Sequence, residues 1–340
     1  MRAVAQLLLL ALPPAAAEVR IIITDPSPSP PPPPLSDAVP DWMPLYFLLA
    51  VLALYAGVMA LVLHSFSGRT GRASAESLPL SGGKEERSHR PRSWMELRRA
   101  GVAAPSLEAL DAELKKGFVR KVYAILGTQL VLTVAICVGM IYAAFYCGDA
   151  NYLTSFGHYY LRQEWVNLLS LLVMLGVLCA LFSMKNRYPA NYILLSVFTA
   201  LLSLSISRII IVYYGRGAGL SIVLAFAVTA ATFLSLTCFT MLTRVDWNFL
   251  QPFLFAGGFL LLFWALLAPL AFCCGRSTSG LSLAVGIVGT ILFSGFIIYD
   301  TNNIMRYMGI DDYVIAAVEL YLDVINLFLC ILTIFNASGD

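Results

Sequence analysis

The feature that most constrains this chain is its series of long apolar runs. A helix needs roughly 20 mostly apolar residues to cross a bilayer, and eight runs of about that length follow the first 20 residues. The composition agrees, because 59% of the residues are hydrophobic and 12% are charged, whereas soluble chains carry about 25% charged residues. The sequence therefore predicts an all-α protein that crosses a membrane several times.

The runs divide the chain into an N-terminal region and a seven-span core. In the N-terminal region we predict a signal peptide at 1–17, a proline-rich luminal spacer at 18–42, an extra transmembrane helix at 43–66 and a basic cytosolic linker at 67–117. The seven-transmembrane domain is predicted at 118–340, with spans at 118–146, 165–184, 190–214, 219–242, 250–272, 281–305 and 312–336. An uncleaved anchor at 1–17 remains the alternative to a signal peptide.

The distribution of positive charge predicts the orientation. Twelve of the 22 Lys and Arg residues lie between positions 67 and 121, and positive segments remain in the cytosol. Since this segment lies between two spans, we expect the lipid bilayer rather than a nucleic acid as its neighbour. Connecting loops such as 185–191 are short, so consecutive spans are expected to be antiparallel neighbours.

Four charged residues lie deep within the predicted core spans, away from the first few residues of each span, and insertion of a charge costs about 2.5–3.5 kcal/mol at the bilayer centre. They are Arg208, Asp300, Glu319 and Asp323. Residues of this kind usually face a cavity or a partner, and three carboxylates on two adjacent spans favour a functional site over a packing role. Arg208 has two open interpretations: its stem can extend to the interface, or it is a buried counter-ion for a carboxylate.

The last span carries its polar residues on one side. At 100° per residue, Asp312, Glu319, Asp323 and Asn326 share a stripe about 60° wide. Contact of this stripe with lipid would be costly. We therefore expect the last helix to be central in a seven-helix bundle and to be wrapped by the other six.

Asp300, Asp323 and Glu319 are predicted to converge in the cytosolic half of the bundle. Carboxylates held together in a medium of low dielectric cannot all be ionised, so they share protons or bind a cation. Their hard oxygen atoms suit calcium, with Asp300 and Asp323 as the candidate ligands. Asn326, Asn303 and Arg208 are candidate supporting polar residues. The three histidines lie at span ends or in loops, so carboxylates must carry any proton chemistry inside the membrane.

Several motifs resemble the Bax inhibitor / Lifeguard family. They are IIYDTNNIMRY and YLDVINLFL near the C-terminus, RKVYAILGTQL at the first core span, and NFLQPFLF near the fifth. The resemblance covers about 118–340 and implies a seven-helix bundle with a central last helix. It also implies calcium leak from internal stores and protection from cell death, with the family's paired aspartates at Asp300 and Asp323. The N-terminal region and Glu319 depart from the family pattern.

From this resemblance we expect a pH-sensitive calcium leak channel in the endoplasmic reticulum or Golgi. Calcium is then the transported or bound ion, and no cofactor is expected. The alternative is a non-conducting membrane regulator that binds channels or death-pathway proteins. A remote alternative is an intramembrane aspartyl protease, which would use one carboxylate as base and one as acid. Asp323 lies in LYLDVI rather than a GxGD motif, so we do not expect an enzyme.

Overall fold

A computed structural model describes residues 107–145, 153–162, 164–185, 187–243, 245–273 and 279–337. The predicted signal peptide, spacer, extra transmembrane helix and nearly all of the linker lie outside these residues. The described part is helical. Its helices are α1 (Leu107–Ala144), α2 (Ser155–Arg162), α3 (Glu164–Ser183), α4 (Ala190–Gly215), α5 (Gly219–Leu242), α6 (Gln251–Cys273), α7 (Ser279–Arg306) and α8 (Tyr313–Ala337).

The all-α membrane class is confirmed. Among the described residues, five helices are long and apolar enough to span a membrane, namely Glu113–Ala144, Ala190–Gly215, Gly219–Leu242, Ser282–Arg306 and Ile310–Ala337. The apolar helices α3 and α6, of 20 and 23 residues, complete seven helices in the core domain. Six of these seven lie within two residues of the predicted spans.

The first core helix differs from its prediction. It begins at Leu107, so the last residues assigned to the linker belong to the helix. Good helix formers connect the two segments, and elongation of an existing helix is far easier than nucleation of a new one. The short helix α2 was also not predicted, because eight residues with mixed polarity carry a weak periodic signal.

One end of the bundle gathers the start of α1 with three loops. Lys115 Nζ donates to the Met308 carbonyl at 2.6 Å, which joins α1 to the α7–α8 loop. Lys185, after α3, forms an ion pair with Asp312 at 2.7 Å. Arg306 donates to the Val245 carbonyl at 3.2 Å, which brings in the α5–α6 loop. We call this the linker end, and its make-up matches the predicted antiparallel order.

Helix α8 forms the centre of the bundle. Its residues from Leu320 to Phe328 are all buried, and 78% of its most apolar window lies inside the protein. The helix packs mainly against α1, α5 and α7, and less extensively against α4, whereas α3 and α6 pack on α4 and α7 instead. The expectation of a central helix is thus confirmed, but four helices rather than six surround it closely.

A close approach between α7 and α8 depends on glycine. A Cβ atom at Gly289 would lie 2.5 Å from Cys330 Sγ, and one at Gly286 would lie 3.2 Å from the Cys330 carbonyl oxygen. The loop at 307–312 joins the same two helices at the linker end. Because α7 and α8 are neighbours at both ends, they pack side by side along their length.

We predict that Gly289→Ala lowers the stability of the bundle. The added methyl group overlaps the Cys330 sulfur, and overpacking of this kind costs about 1–3 kcal/mol. Thermal unfolding of the purified protein in detergent measures the change. Gly176→Ala is the matched control, since no atom lies within 4 Å of that Cβ position. Cys330→Ala should restore stability to the Gly289→Ala protein, and a failure to do so would show that the contact is not limiting.

Candidate acidic site between the last two helices

Asp300 and Asp323 lie in the interface between α7 and α8. Asp300 follows Gly289 by 11 residues, which is three turns and about 20°, so both lie on one face of α7. Asp323 precedes Cys330 by seven residues, which places it about 20° from Cys330 on α8. Since Gly289 meets Cys330, each aspartate lies on the face of its helix that packs against the other helix.

Both aspartates are deeply buried, with 2% of Asp300 and none of Asp323 exposed. Asp323 lies ten residues into α8, or about 15 Å at 1.5 Å per residue, which is near the middle of a hydrocarbon core of about 30 Å. Measured from the Gly289–Cys330 contact, the two positions are about one helical turn apart along the axis. The bundle thus holds two acidic residues at neighbouring levels of one interface.

The other predicted polar residues differ in burial and in hydrogen-bond partners. Asn326 is 4% exposed, and its amide donates to the Leu322 carbonyl of its own helix at 2.9 Å. Glu319 and Asn303 are half-buried, and the Asn303 carbonyl accepts the backbone N–H groups of Tyr307 and Met308. Asp312 precedes α8 and pairs with Lys185, so the stripe is shorter than predicted.

Among the described side chains, no group of three or more His, Cys, Asp and Glu residues is arranged to hold a metal ion. Asp300, Asp323 and Glu319 therefore do not form a three-carboxylate metal cluster. A calcium ion takes 6–8 oxygen ligands, so most ligands at this pair would come from backbone carbonyls, amide oxygens and water.

Arg208 lies toward the other end of the bundle. It is 18 residues into α4, about 27 Å from the linker end. Its guanidinium donates to the carbonyls of Tyr160 and Leu161 at 2.7 and 3.1 Å. These carbonyls belong to the last turn of α2, where a cation is favourable. Arg208 thus anchors α2, a role that neither of the sequence interpretations included.

A polar contact that the sequence did not predict lies beside Asp300. The Tyr123 hydroxyl of α1 lies 3.3 Å from Thr301 Oγ1 of α7, and Asp300 is near enough to act electrostatically on this hydroxyl. Thr237 of α5 is a further neighbour of the Tyr123 hydroxyl. Three helices therefore meet in a polar layer on the linker side of the acidic pair. The residues of this polar layer are far apart in sequence, so no local sequence pattern predicted their contact.

A second polar group joins α1, α4 and α8 away from the acidic pair. Gln129 donates to Thr199 at 3.0 Å, Ser203 donates to Thr133 at 3.0 Å, and Tyr321 and Thr133 share a hydrogen bond at 2.7 Å. Hydrogen bonds between membrane helices contribute about 0.6–2 kcal/mol each. The four-residue spacing of Gln129 with Thr133 and of Thr199 with Ser203 was visible in the sequence and indicates a shared helix face.

Asp246 ties the α5–α6 loop to the end of α7. Its carboxylate accepts hydrogen bonds from Asn302 at 3.0 Å and from the Tyr307 hydroxyl. Mainly because of Tyr307, and then Asn302, the pKa of Asp246 lies below its ordinary value of 3.8. The same bond raises the pKa of Tyr307 above its ordinary value. Asp246 is therefore ionised at neutral and mildly acidic pH. This loop contact does not change its charge in that pH range.

Comparison with known proteins is consistent with this geometry. Residues 115–340 match the family model described as inhibitor of apoptosis-promoting Bax1. The chain is 36% identical over 233 residues to Protein LIFEGUARD 4 of Arabidopsis thaliana, covering 66% of this chain and 87% of that protein. It is 32% identical over 235 residues to Protein lifeguard 4 of Mus musculus, covering 67% and 87%. It is 30% identical over 235 residues to the Golgi anti-apoptotic protein of Vaccinia virus (strain Lister), covering 69% and 91%.

The fold and the site define a class of protein. It is a multi-pass helical membrane protein whose most buried described helix carries a carboxylate near mid-membrane, and the adjacent helix carries a second buried carboxylate. Within this class, the chain belongs to the Bax inhibitor / Lifeguard family. The resemblance noted in the sequence motifs is thereby confirmed.

We predict that Asp246→Asn loosens the α5–α6 loop at neutral pH. In the wild type, the folded pKa is depressed, so the contact is complete above the ordinary value of 3.8 and is lost as pH falls through the lower folded value. Hydrogen exchange of residues 245–250 and of the end of α7 should therefore be slow in the wild type and several-fold faster in the variant. Asp311→Asn, at an exposed aspartate in the α7–α8 loop, is the control. Equal exchange in wild type and Asp246→Asn would contradict the contact.

Proposed function

We propose that this protein is a pH-sensitive calcium leak channel of an internal membrane, the endoplasmic reticulum or Golgi, and that it restrains cell death through the calcium content of that store. The observation that carries the proposal is the burial of Asp300 and Asp323 on the facing sides of α7 and α8. Two carboxylates buried within membrane spans are costly to insert, and this cost is difficult to explain by packing alone.

Proton and cation compete for the same oxygens at this pair. With a shared proton, the two side chains can hydrogen-bond across the interface and hold α7 against α8. When the proton leaves, like charges repel, and the negative oxygens attract a divalent cation. Conduction requires binding that is strong enough to admit the ion and weak enough to release it. A site with only two carboxylates, completed by neutral oxygens and water, meets both conditions.

Membership of the family supports the link to cell death. The matching family model is described as an inhibitor of apoptosis-promoting Bax1, and one viral relative is named a Golgi anti-apoptotic protein. These names support an anti-apoptotic role and an internal membrane for this chain. They mention no transport, which favours a second candidate function, a non-conducting regulator that binds channels or death-pathway proteins.

We predict that the purified full-length chain releases calcium from loaded liposomes and that release increases as pH rises from acidic to neutral. Asp323→Asn should reduce release about tenfold or more, because loss of one charge from a divalent-cation site exceeds the 1.4 kcal/mol of a tenfold change. Asp300→Asn should remove most of the pH dependence, since the proton is shared. A calcium indicator outside the liposomes gives the rate.

Asp311→Asn is the matched control for these variants, because it makes the same chemical change at an exposed position outside the interface. Thermal unfolding and gel filtration show that each variant is folded, and Glu319→Gln provides a third variant of the same stripe. Release by Asp323→Asn and Asp300→Asn at the wild-type rate would overturn the channel. No release by well-folded wild type, with protection of cells retained, would favour the regulator. Cleavage of a reporter helix would favour the protease.

A further inference from the structure

A groove opens at the linker end between α1, α5 and α7. It has a volume of about 600 Å³ and is lined by Lys115, Lys116, Val119, Arg120, Tyr123, Met241 and Met305. Pockets that hold small ligands have volumes of about 300–1,000 Å³. Val119, Tyr123 and the two methionines make its wall apolar, and the three basic side chains lie at its rim, toward the start of α1. The groove therefore combines an apolar slot with a cationic mouth.

The depth of the groove matches the boundary between lipid and water. Met241 and Met305 each lie one residue before the end of their helix, and Lys115 and Lys116 lie in the first turns of the α1 span. Around the mouth, Leu114 is 46% exposed and Leu242 is 84% exposed. Exposed leucines at this level of a transmembrane bundle indicate contact with lipid. The groove is thus open to the layer in which phospholipid headgroups lie.

Charge decides which ligand fits. Three basic side chains disfavour the approach of a calcium ion, so the groove does not suit the mouth of a cation pathway. Among the side chains described near the groove, the acid Glu113 pairs with Lys116 at 3.0 Å, but both side chains are more than 70% exposed, and such pairs contribute little. Lys115 donates one hydrogen bond to the Met308 carbonyl, and an ammonium group has three donors. The mouth therefore has donors and net positive charge for an anion.

We propose that this groove binds one anionic phospholipid, with its phosphate at Lys116, Arg120 and Lys115 and one acyl chain along Val119, Tyr123, Met241 and Met305. The chain's own preceding segment is a poor occupant, because residues 67–106 carry eight Lys and Arg against four Glu. An anionic lipid supplies both the charge and the apolar tail that the groove offers.

The occupied groove would touch the polar layer beside the acidic pair. Tyr123 lines the groove, and its hydroxyl contacts Thr301, the residue after Asp300. An acyl chain against the Tyr123 ring holds that ring in place and so favours the hydrogen bond to α7. Lipid binding itself does not depend on ion conduction, so the two proposals can fail separately.

Native mass spectrometry of the full-length chain in detergent tests the proposal. We expect one phosphatidylserine or phosphatidylglycerol molecule to be retained in preference to phosphatidylcholine. Each basic residue near an anionic lipid contributes about a fivefold effect, so Lys116→Gln with Arg120→Gln should weaken retention about 25-fold. Arg187→Gln is the control, because it removes a charge at the linker end that does not line the groove.

A second variant tests the tail separately from the charge. Met241→Trp fills the groove without altering its rim and should also weaken retention. Equal retention by wild type, Met241→Trp and the double glutamine variant would overturn the proposal. So would displacement of the lipid by glycerol phosphate at equal concentration, since that result would show an anion site without a lipid tail.

Discussion

The contact between α7 and α8 is the interaction on which the rest of this structure depends. Gly286 and Gly289 allow the two helices to approach closely at one end, and a short loop joins them at the other. With this spacing set, Asp300 and Asp323 are held in a shared, buried interface. Lipid offers no hydrophobic drive for two apolar helices to associate, so small residues and polar contacts must bring them together. The features that stabilise the contact between α7 and α8 therefore also determine the positions of Asp300 and Asp323.

The burial of α8 follows from the lipid environment of the bundle. In a bilayer, a helix with polar residues on one side must turn that side inward, and α8 has Glu319, Asp323 and Asn326 on one side of a largely apolar helix. The surrounding helices satisfy its remaining polar groups, as Thr133 does for the Tyr321 hydroxyl. The helix is central because its sequence can be accommodated nowhere else in the bundle, and this was readable from the 100° periodicity alone.

The sequence predicted the parts of the structure that have a local cause. Six core helices lie within two residues of their predicted bounds, because apolar length and short polar loops determine where a span ends. Asp300 and Asp323 stood out because a charge inside an apolar run is rare. The contacts of Arg208 with the end of α2, and of Tyr123 with Thr301, were not predicted. They join residues 47 or more positions apart, and which helices become neighbours is decided by packing rather than by local pattern.

The last turns of α7 show how one helix can serve two chemically different surroundings. Near the linker end, Asn302 reaches Asp246 in an exposed loop, where water and hydrogen bonds keep that carboxylate ionised. Two residues earlier, Asp300 is buried, with 2% of its surface exposed, and burial of a charge is costly unless the charge is paired. The Tyr123 hydroxyl lies between these surroundings and contacts the intervening Thr301. A change that moves α1 relative to α7 would therefore alter the access of water to Asp300 before it disturbs the rest of the bundle.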